Sequence, residues 1–444
     1  MNLPLFIVII VLLAAASFWL GRKAAAESKS TGDFFLMGRK LGLFGLTMTM
    51  LATQMGGGAL LGACEEAYAR GWNVLFYPMG MVLGMVVLGL GYGAKMRKLT
   101  LTTIPEIFEK IYQSIPLRKV ASLLSILSLY LILVGQGIAA RKFFISLGFN
   151  GDMLFILFWC MLVAYTVMGG LGAVVKTDIL QASFILISLF IAVCAAFPVS
   201  EPAQTSVIAL NEGSTPWFTW MLMPLLFMLI EQDMGQRCFA AKNPRTVSIA
   251  ALTSAGILLV VSFVPIWFGT RAAALSLAIA PGSSVLISSV QAFTNPVVAT
   301  LVICAVLLAI STTADSLLCS VSSNIACDFP ALGGSLLTSR FVTLGVGIST
   351  LVLAYMLNNV LAILMFSYEL AVSVLFVPVT MAVWMDRPHK LSAALSMVFG
   401  AASFVAVRGW EVPFPQELIS LTLSFASFSV SEWMYTLKRP LHTS

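Results

Sequence analysis

The stretch Ala309-Ile310-Ser311-Thr312-Thr313-Ala314-Asp315-Ser316 places four hydroxyls and a carboxylate inside an apolar segment long enough to cross a bilayer. An Asp at the centre of a membrane helix costs roughly 2.5–3.5 kcal/mol on insertion scales, so it faces a partner, an ion or water. On a helical period, Ala309, Thr312, Thr313, Ser316 and Ser320 share one face, with Asp315 flanking it beside Ser311 and Thr312. Membrane serines and threonines also bond back to their own helix carbonyls, which accounts for one or two of these hydroxyls but not for the whole face. Small side chains bearing oxygen suit a hard monovalent cation such as sodium, which takes oxygen rather than thiolate ligands. The face is read as an ion site.

Working outward, the chain of 444 residues is 59% hydrophobic and 10% charged, with a mean hydropathy of +0.98. These values describe an all-α polytopic membrane protein. About thirteen apolar stretches follow one another, near 4–20, 41–69, 73–94, 119–140, 152–169, 179–198, 217–236, 247–270, 292–327, 341–358, 360–385, 391–407 and 415–436. All but five of the 25 lysines and arginines fall in alternate loops; the exceptions are Arg70, Arg141, Lys142, Arg271 and Arg408. The positive-inside rule then puts the amino terminus outside and the carboxyl terminus in the cytoplasm of a plasma membrane, a bacterial inner membrane. The net charge of +6 is a topological signal and gives no support to nucleic-acid binding.

The first apolar segment has its charges, Arg22 and Lys23, after it and no basic region before it, which reads as a retained helix. The seven cysteines lie in or beside helices without CxxC spacing, so neither a disulfide framework nor a zinc site is expected. The longest exterior connections, near 199–216 and 271–290, have about twenty residues each, short of the roughly 50 a domain needs. A single membrane domain over 1–444 is expected.

Two segments depart from plain spanning helices. Gly56-Gly57-Gly58 interrupts the second helix beside Gln54, at roughly 1 kcal/mol per glycine against alanine. Tight packing of small residues would account for the triplet; an unwound binding segment accounts for it beside a glutamine. The seventh helix carries Pro224 and then Glu231-Gln232-Asp233-Met234-Gly235-Gln236-Arg237. Gln236 and Arg237 read as the ordinary end of a helix leaving the membrane, whereas Glu231 sits deeper. Each interrupted helix opens a unit of five, about 41–198 and 217–385. An odd number of helices makes the two units run in opposite directions, the pattern of an inverted-repeat transporter with its site near the midplane. No residue-level repeat supports this; it rests on helix count and on the positions of the breaks.

These motifs resemble the sodium:solute symporter family. The matching stretches are Asp33 through Gly42, Gly62 through Gly71, Thr103-Ile104-Pro105-Glu106, Tyr165 through Val174 with Thr177, Asp178 and Gln181, Gln236-Arg237 with Ala240-Ala241-Lys242, and Ser311–Ser316 with Asp328. They cover about residues 33–330. The resemblance implies a LeuT-like fold with one extra helix before the inverted repeat and two after it. It implies a sodium site made of the main-chain carbonyls of Ala52, Met55 and Ala309 with the hydroxyls of Thr312 and Thr313, the face already picked out by spacing. Asp178 is similar to a carboxylate linked to sodium coupling in relatives, and Asp315 joins it as a coupling residue.

For the solute, the resemblance implies contacts from the broken helices and the fourth helix: Gln54, Gly56, Gly57, Gly58, Gln136, Phe227 and Glu231. Proline carriers have an Asp where this chain has Gln54. Choline carriers have an aromatic residue near the glycine triplet that is absent here, although the Gly-Gly-Gly and Glu-Ala-Tyr pattern is nearest to the choline-type branch. A buried Glu231 favours a cationic or amine-bearing solute. The expected activity is sodium-coupled symport of an amine, amino acid or choline-like solute by alternating access. The only cofactor-like species expected is the sodium ion, and the partners are the solute, the ion and the bilayer.

The alternative is a proton-coupled carrier that uses Asp178 or Glu231. No repeated pore loop of a channel is present. His389 and His442 are the only histidines, both near cytoplasmic ends, which speaks against an enzyme. Glu65 and Glu66 are expected to be solvated or paired with Arg70, and Glu369 to pair with Arg141 or to line the pathway.

Overall fold

Capping fixes where several of the helices begin. Asn2, Ser114, Asn243, Ser284, Asn295 and Ser335 each turn a side-chain oxygen onto a first-turn N–H, and Pro4, Pro116, Pro244 and Pro296 occupy the first two helical positions behind four of them. The computed structural model describes residues 2–148, 151–196, 217–280, 283–329, 335–357, 360–408 and 415–438. The exterior connection expected at 199–216 lies outside these residues. Among the described residues there is no strand, only an isolated parallel bridge between Leu41 and Ala241.

In chain order, α1 (Leu3–Glu27) and the short α2 (Thr31–Leu36) lead into α3 (Leu43–Gln54). After a break and one wide turn at Gly58–Gly62, the same path continues as α4 (Ala63–Arg70). α5 (Phe76–Val87) and α6 (Gly93–Lys98) form the next crossing, and α7 (Glu106–Lys110) the connection to α8 (Ile115–Ser146). α9 (Gly151–Ala196) is kinked at Gly170, where φ is 55° and ψ −147°. A side chain there would be strained, and its Cβ would lie 2.4 Å from the Phe34 carbonyl oxygen; the glycine lets α2 dock on the kink.

The second half repeats the interruption. α10 (Trp217–Met228) stops, Leu229–Glu231 leave the helix, and α11 (Gln232–Ala240) resumes. α12 (Pro244–Ala274), α13 (Val285–Phe293), α14 (Pro296–Asp328), α15 (Leu336–Leu353), α16 (Val360–Trp384), α17 (Lys390–Val407) and α18 (Gln416–Lys438) follow. The connection expected at 271–290 as an open loop carries the end of α12 and the start of α13 instead. Nine helices among the described residues are long and apolar enough to cross a membrane, with Gly58–Lys98 and Asp152–Ala196 counted once each.

α14 is the axis of the molecule. It packs against α8, α9, α13, α15, α3 and α11, and every residue from Val302 to Asn324 is buried. A helix apolar all round would be expected in such a place; α14 instead buries hydroxyls and acids, so each must meet a partner. α17 and α18 pack on each other and on α16, away from this axis.

Candidate functional site

The hydroxyl face of α14 meets the break between α3 and α4. Thr312 Oγ1 lies 3.0 Å from the Ala52 carbonyl oxygen and 3.0 Å from that of Ala309. Thr313 Oγ1 donates to the Thr53 carbonyl at 2.8 Å, and the Thr53 and Ser316 hydroxyls are 3.0 Å apart. A hydroxyl has one proton, so Thr312 satisfies one of its two carbonyls fully at a time. Such a surplus of oxygen over hydrogen suits a hard cation. Met55 ends α3, its N–H donating to Ala52 and Leu51. Gly56 is required by the close approach of α14: a Cβ there would sit 2.4 Å from Thr313 Oγ1. Ser311, by contrast, bonds back to Leu307 at 3.0 Å, the ordinary habit of a membrane serine.

A second layer lies beside this face. Asp178 on α9 accepts from Thr49 Oγ1 at 2.5 Å and lies 3.6 Å from Arg237 Nη2. Asp315 accepts from Tyr165 at 2.7 Å. The other oxygen of each carboxyl, Asp178 Oδ1 and Asp315 Oδ1, has no hydrogen-bond partner among the described residues. Arg237 donates to Ser316 at 2.6 Å, to Thr49 Oγ1 at 3.0 Å and to Asp233, its neighbour one helical turn back. Arg237, Asp178, Asp233 and Asp315 are all at most 1% exposed.

This overturns the reading of Gln236 and Arg237 as a helix end leaving the membrane. Both are fully buried, Gln236 donating to the Phe35 carbonyl at 2.8 Å and accepting from Ser320 at 2.9 Å. Their carboxylate and hydroxyl partners compensate for the desolvation of the charge. The spacing of Asp233 and Arg237, one turn apart, was the available signal. The adjacent Gln232 joins α11 to the loop before α7, accepting from the Ile104 N–H at 2.7 Å, and donates to Ser323 at 3.0 Å.

The third element is a narrow cavity of about 30 Å³ between the two broken helices. Gln54, Gly56, Gly58, Gln136 and Glu231 line it, together with Asp233, Tyr77 and Tyr368, which sequence reasoning missed. Gln54 Nε2 donates to Glu231 Oε1 at 3.2 Å, tying one break to the other. Gln136 accepts from the Gly57 N–H at 2.8 Å, so Gly57 enters through its backbone. Phe227 does not line the cavity; its ring packs on Tyr368 with centroids 4.6 Å apart. Asp178 and Asp315 stand away from the cavity, on the far side of Arg237. Tyr77 lies in an apolar run, and Tyr368 between Ser367 and Glu369 has no polar spacing that ties it to the breaks.

Two further acids are paired otherwise than expected. Glu369 meets Arg408 at 2.6 Å, not Arg141, and Glu65 meets Lys142 at 3.4 Å. Glu66 pairs with Arg70 at 3.0 Å as anticipated.

The sequence model of the sodium:solute symporter family matches residues 34–400. The human high affinity choline transporter 1 is 27% identical over 275 residues, covering 57% of this chain and 45% of that protein. The pig sodium/glucose cotransporter 1 is 24% identical over 284 residues, covering 54% of this chain and 42% of that protein. The chain thus spans about half the length of the curated relatives it matches. Among solved structures, the substrate-bound outward-open state of a Na+-coupled sialic acid symporter superposes with a TM-score of 0.77 at 18% identity, covering 97% of each chain. That likeness fixes the fold as the LeuT-like one expected from the sequence.

Proposed function

The chain belongs to the sodium:solute symporter family, and from that premise we propose that it carries a small organic solute, an amine, amino acid or choline-like molecule, together with sodium across a plasma membrane. The observation that carries the reading is the convergence of Thr312 and Thr313 on the carbonyls of Ala52, Thr53 and Ala309 at the α3 break. Sodium held by Ala52, Met55, Ala309, Thr312 and Thr313 ties the broken helix to α14 and stabilises the form that accepts solute. Solute then binds between the two breaks, against Gln54, Gly58, Gln136 and Glu231, and closure moves one half of the molecule against the other.

The driving force follows from charge. One sodium moving through about 100 mV releases about 2.3 kcal/mol, enough for roughly 40-fold accumulation at 1.4 kcal/mol per tenfold. The breaks at Met55–Gly57 and Leu229–Glu231 support two inverted five-helix units, about 41–198 and 217–385. The distribution of lysine and arginine supports an amino terminus outside and a carboxyl terminus in the cytoplasm.

A second reading, proton coupling through Asp178 or Glu231, is favoured by one observation: the carboxyl oxygens Asp178 Oδ1 and Asp315 Oδ1 lack partners. Both readings use Asp178 as a coupling group and differ in the ion.

Thermal unfolding of the purified protein in sodium and in potassium at equal ionic strength separates them. A sodium-specific rise in melting temperature, removed by Thr312→Ala/Thr313→Ala, is the expected result. Equal melting in the two cations by folded protein overturns sodium coupling and leaves the proton.

A further inference from the structure

The charges around the cavity narrow the solute beyond the classes above, on the reading that this cavity is the solute site. Among its lining residues there is no arginine, lysine or histidine. Arg237 lies behind Asp233 and is committed to Asp233, Ser316 and Thr49. The two acids that line the cavity are therefore not equivalent. The charge of Asp233 is matched by Arg237, and its Oδ1 also accepts from Ser320 at 3.2 Å. Glu231 has one hydrogen bond, from Gln54, and no ion pair among the described residues. One carboxylate thus faces the cavity without a cation.

An anionic group on the solute would dock where a broken helix frees N–H groups, the usual role of an unwound half-helix N-terminus. At both such places an oxygen-bearing side chain of the protein already stands. At the first break the Gly57 N–H is taken by Gln136 Oε1 at 2.8 Å. At the second, the residue at the N-cap of α11 is Glu231 itself, so an acid already stands at that helix end. Two aromatic rings, Tyr77 and Tyr368, line the cavity beside aliphatic side chains such as Met81 and Leu364, and Phe227 backs Tyr368. Carboxylate and aromatic faces together are a receptor for an organic cation.

We infer that the solute is a small monocation without a carboxylate, an amine or quaternary ammonium compound, and not an amino acid or other zwitterion. A carboxylate on the solute would meet no cationic side chain in the lining and would lie against Glu231, a like-charge contact.

The test uses probes matched in all but that group. Sodium-dependent thermal stabilisation of the purified protein is titrated with choline against betaine and with pyrrolidine against proline. The expected result is a response to at least one carboxylate-free probe, with its zwitterionic counterpart needing about a hundredfold higher concentration or more. Glu231→Gln should abolish the response to the cation while the sodium-specific shift persists. Gln136→Ala frees the Gly57 N–H and should narrow the gap within a pair at least about tenfold.

Betaine or proline binding as tightly as its partner overturns the inference, and so does silence to all four probes with the sodium shift intact. A zwitterion response that requires Thr312 and Thr313 also overturns it, because the ion would then be holding the carboxylate. Loss of the sodium shift itself, in unaltered protein, counts against the symport reading instead, so the two failures are told apart.

Discussion

Asp315 and Asp328 lie on one helix, α14, and both are sealed from solvent, yet their surroundings are opposites. Asp328 ends the helix among donors: Thr103 at 2.7 Å, Ser122 at 2.8 Å, and Arg118 through Nε at 2.9 Å and Nη2 at 2.8 Å. Asp315, in the middle, accepts one side-chain hydrogen bond, from Tyr165, and its Oδ1 has no partner among the described residues. A buried carboxylate is tolerated when its lone pairs are filled and is expensive when they are not. The first arrangement holds a structure together. The second is complete only with a cation or a proton, and it sits beside the threonines read as the ion site.

The largest effect expected of this contrast is at the satisfied end. Arg118 also binds Glu109 at 2.5 Å, Glu106 at 3.3 Å and the Cys327 carbonyl at 2.9 Å, so Arg118→Ala leaves the buried Asp328 without its cation and releases two more accessible acids. Destabilisation of about 3–5 kcal/mol is expected, read as a fall in melting temperature that is the same in sodium and potassium. A fall confined to one cation would mean that Asp328 belongs to the ion machinery after all. Next in size is Tyr165→Phe, which removes the one side-chain donor to Asp315 among the described residues. It should destabilise by about 1–3 kcal/mol in potassium and by a different amount in sodium, if an ion bound nearby takes over part of the lost interaction.

How far this contrast was legible in the sequence depends on what each residue needed to reveal it. The hydroxyl face of α14 was visible because helical spacing alone puts Thr312, Thr313 and Ser316 together, and the glycine triplet announced the break it faces. The partners of Asp315 and Asp328 were not visible. Tyr165 and Ser122 reach them from other helices across long sequence separations, and spacing within one helix carries no information about that. Arg237 was misread for a related reason: an arginine after an apolar run resembles a helix end, and only the tertiary arrangement of Asp233, Asp178 and Ser316 shows that it stays inside. The cavity was half legible, its polar residues marked by their rarity in apolar segments and its tyrosines hidden among other large side chains.

Smaller effects sharpen the comparison further. Ser122→Ala removes one donor of four from Asp328, and the remaining three hold the carboxylate. A loss of about 1 kcal/mol is expected, independent of the cation, measured as the shift in melting temperature. If it equals the loss from Tyr165→Phe, then the number of donors is not what distinguishes the two acids.

The smallest change in potassium is expected from Asp315→Asn. The amide oxygen still accepts from Tyr165, so that bond survives the substitution. The amide nitrogen takes the place of an oxygen that had no partner, so no satisfied interaction is lost there. What disappears is a buried charge whose surroundings do not compensate for it, and removing such a charge is neutral or mildly stabilising. In potassium the melting temperature should therefore stay within the equivalent of about 1 kcal/mol of the unaltered protein. In sodium the two proteins should part, because an acid that assists cation binding contributes only when the cation is there. The same asparagine at position 328 faces two nitrogens of Arg118 and has no such freedom. Should Asp315→Asn instead lose several kcal/mol in both cations, Asp315 would be a structural acid like Asp328, its unfilled oxygen would have no bearing on the ion, and the coupling role would fall to Asp178 alone.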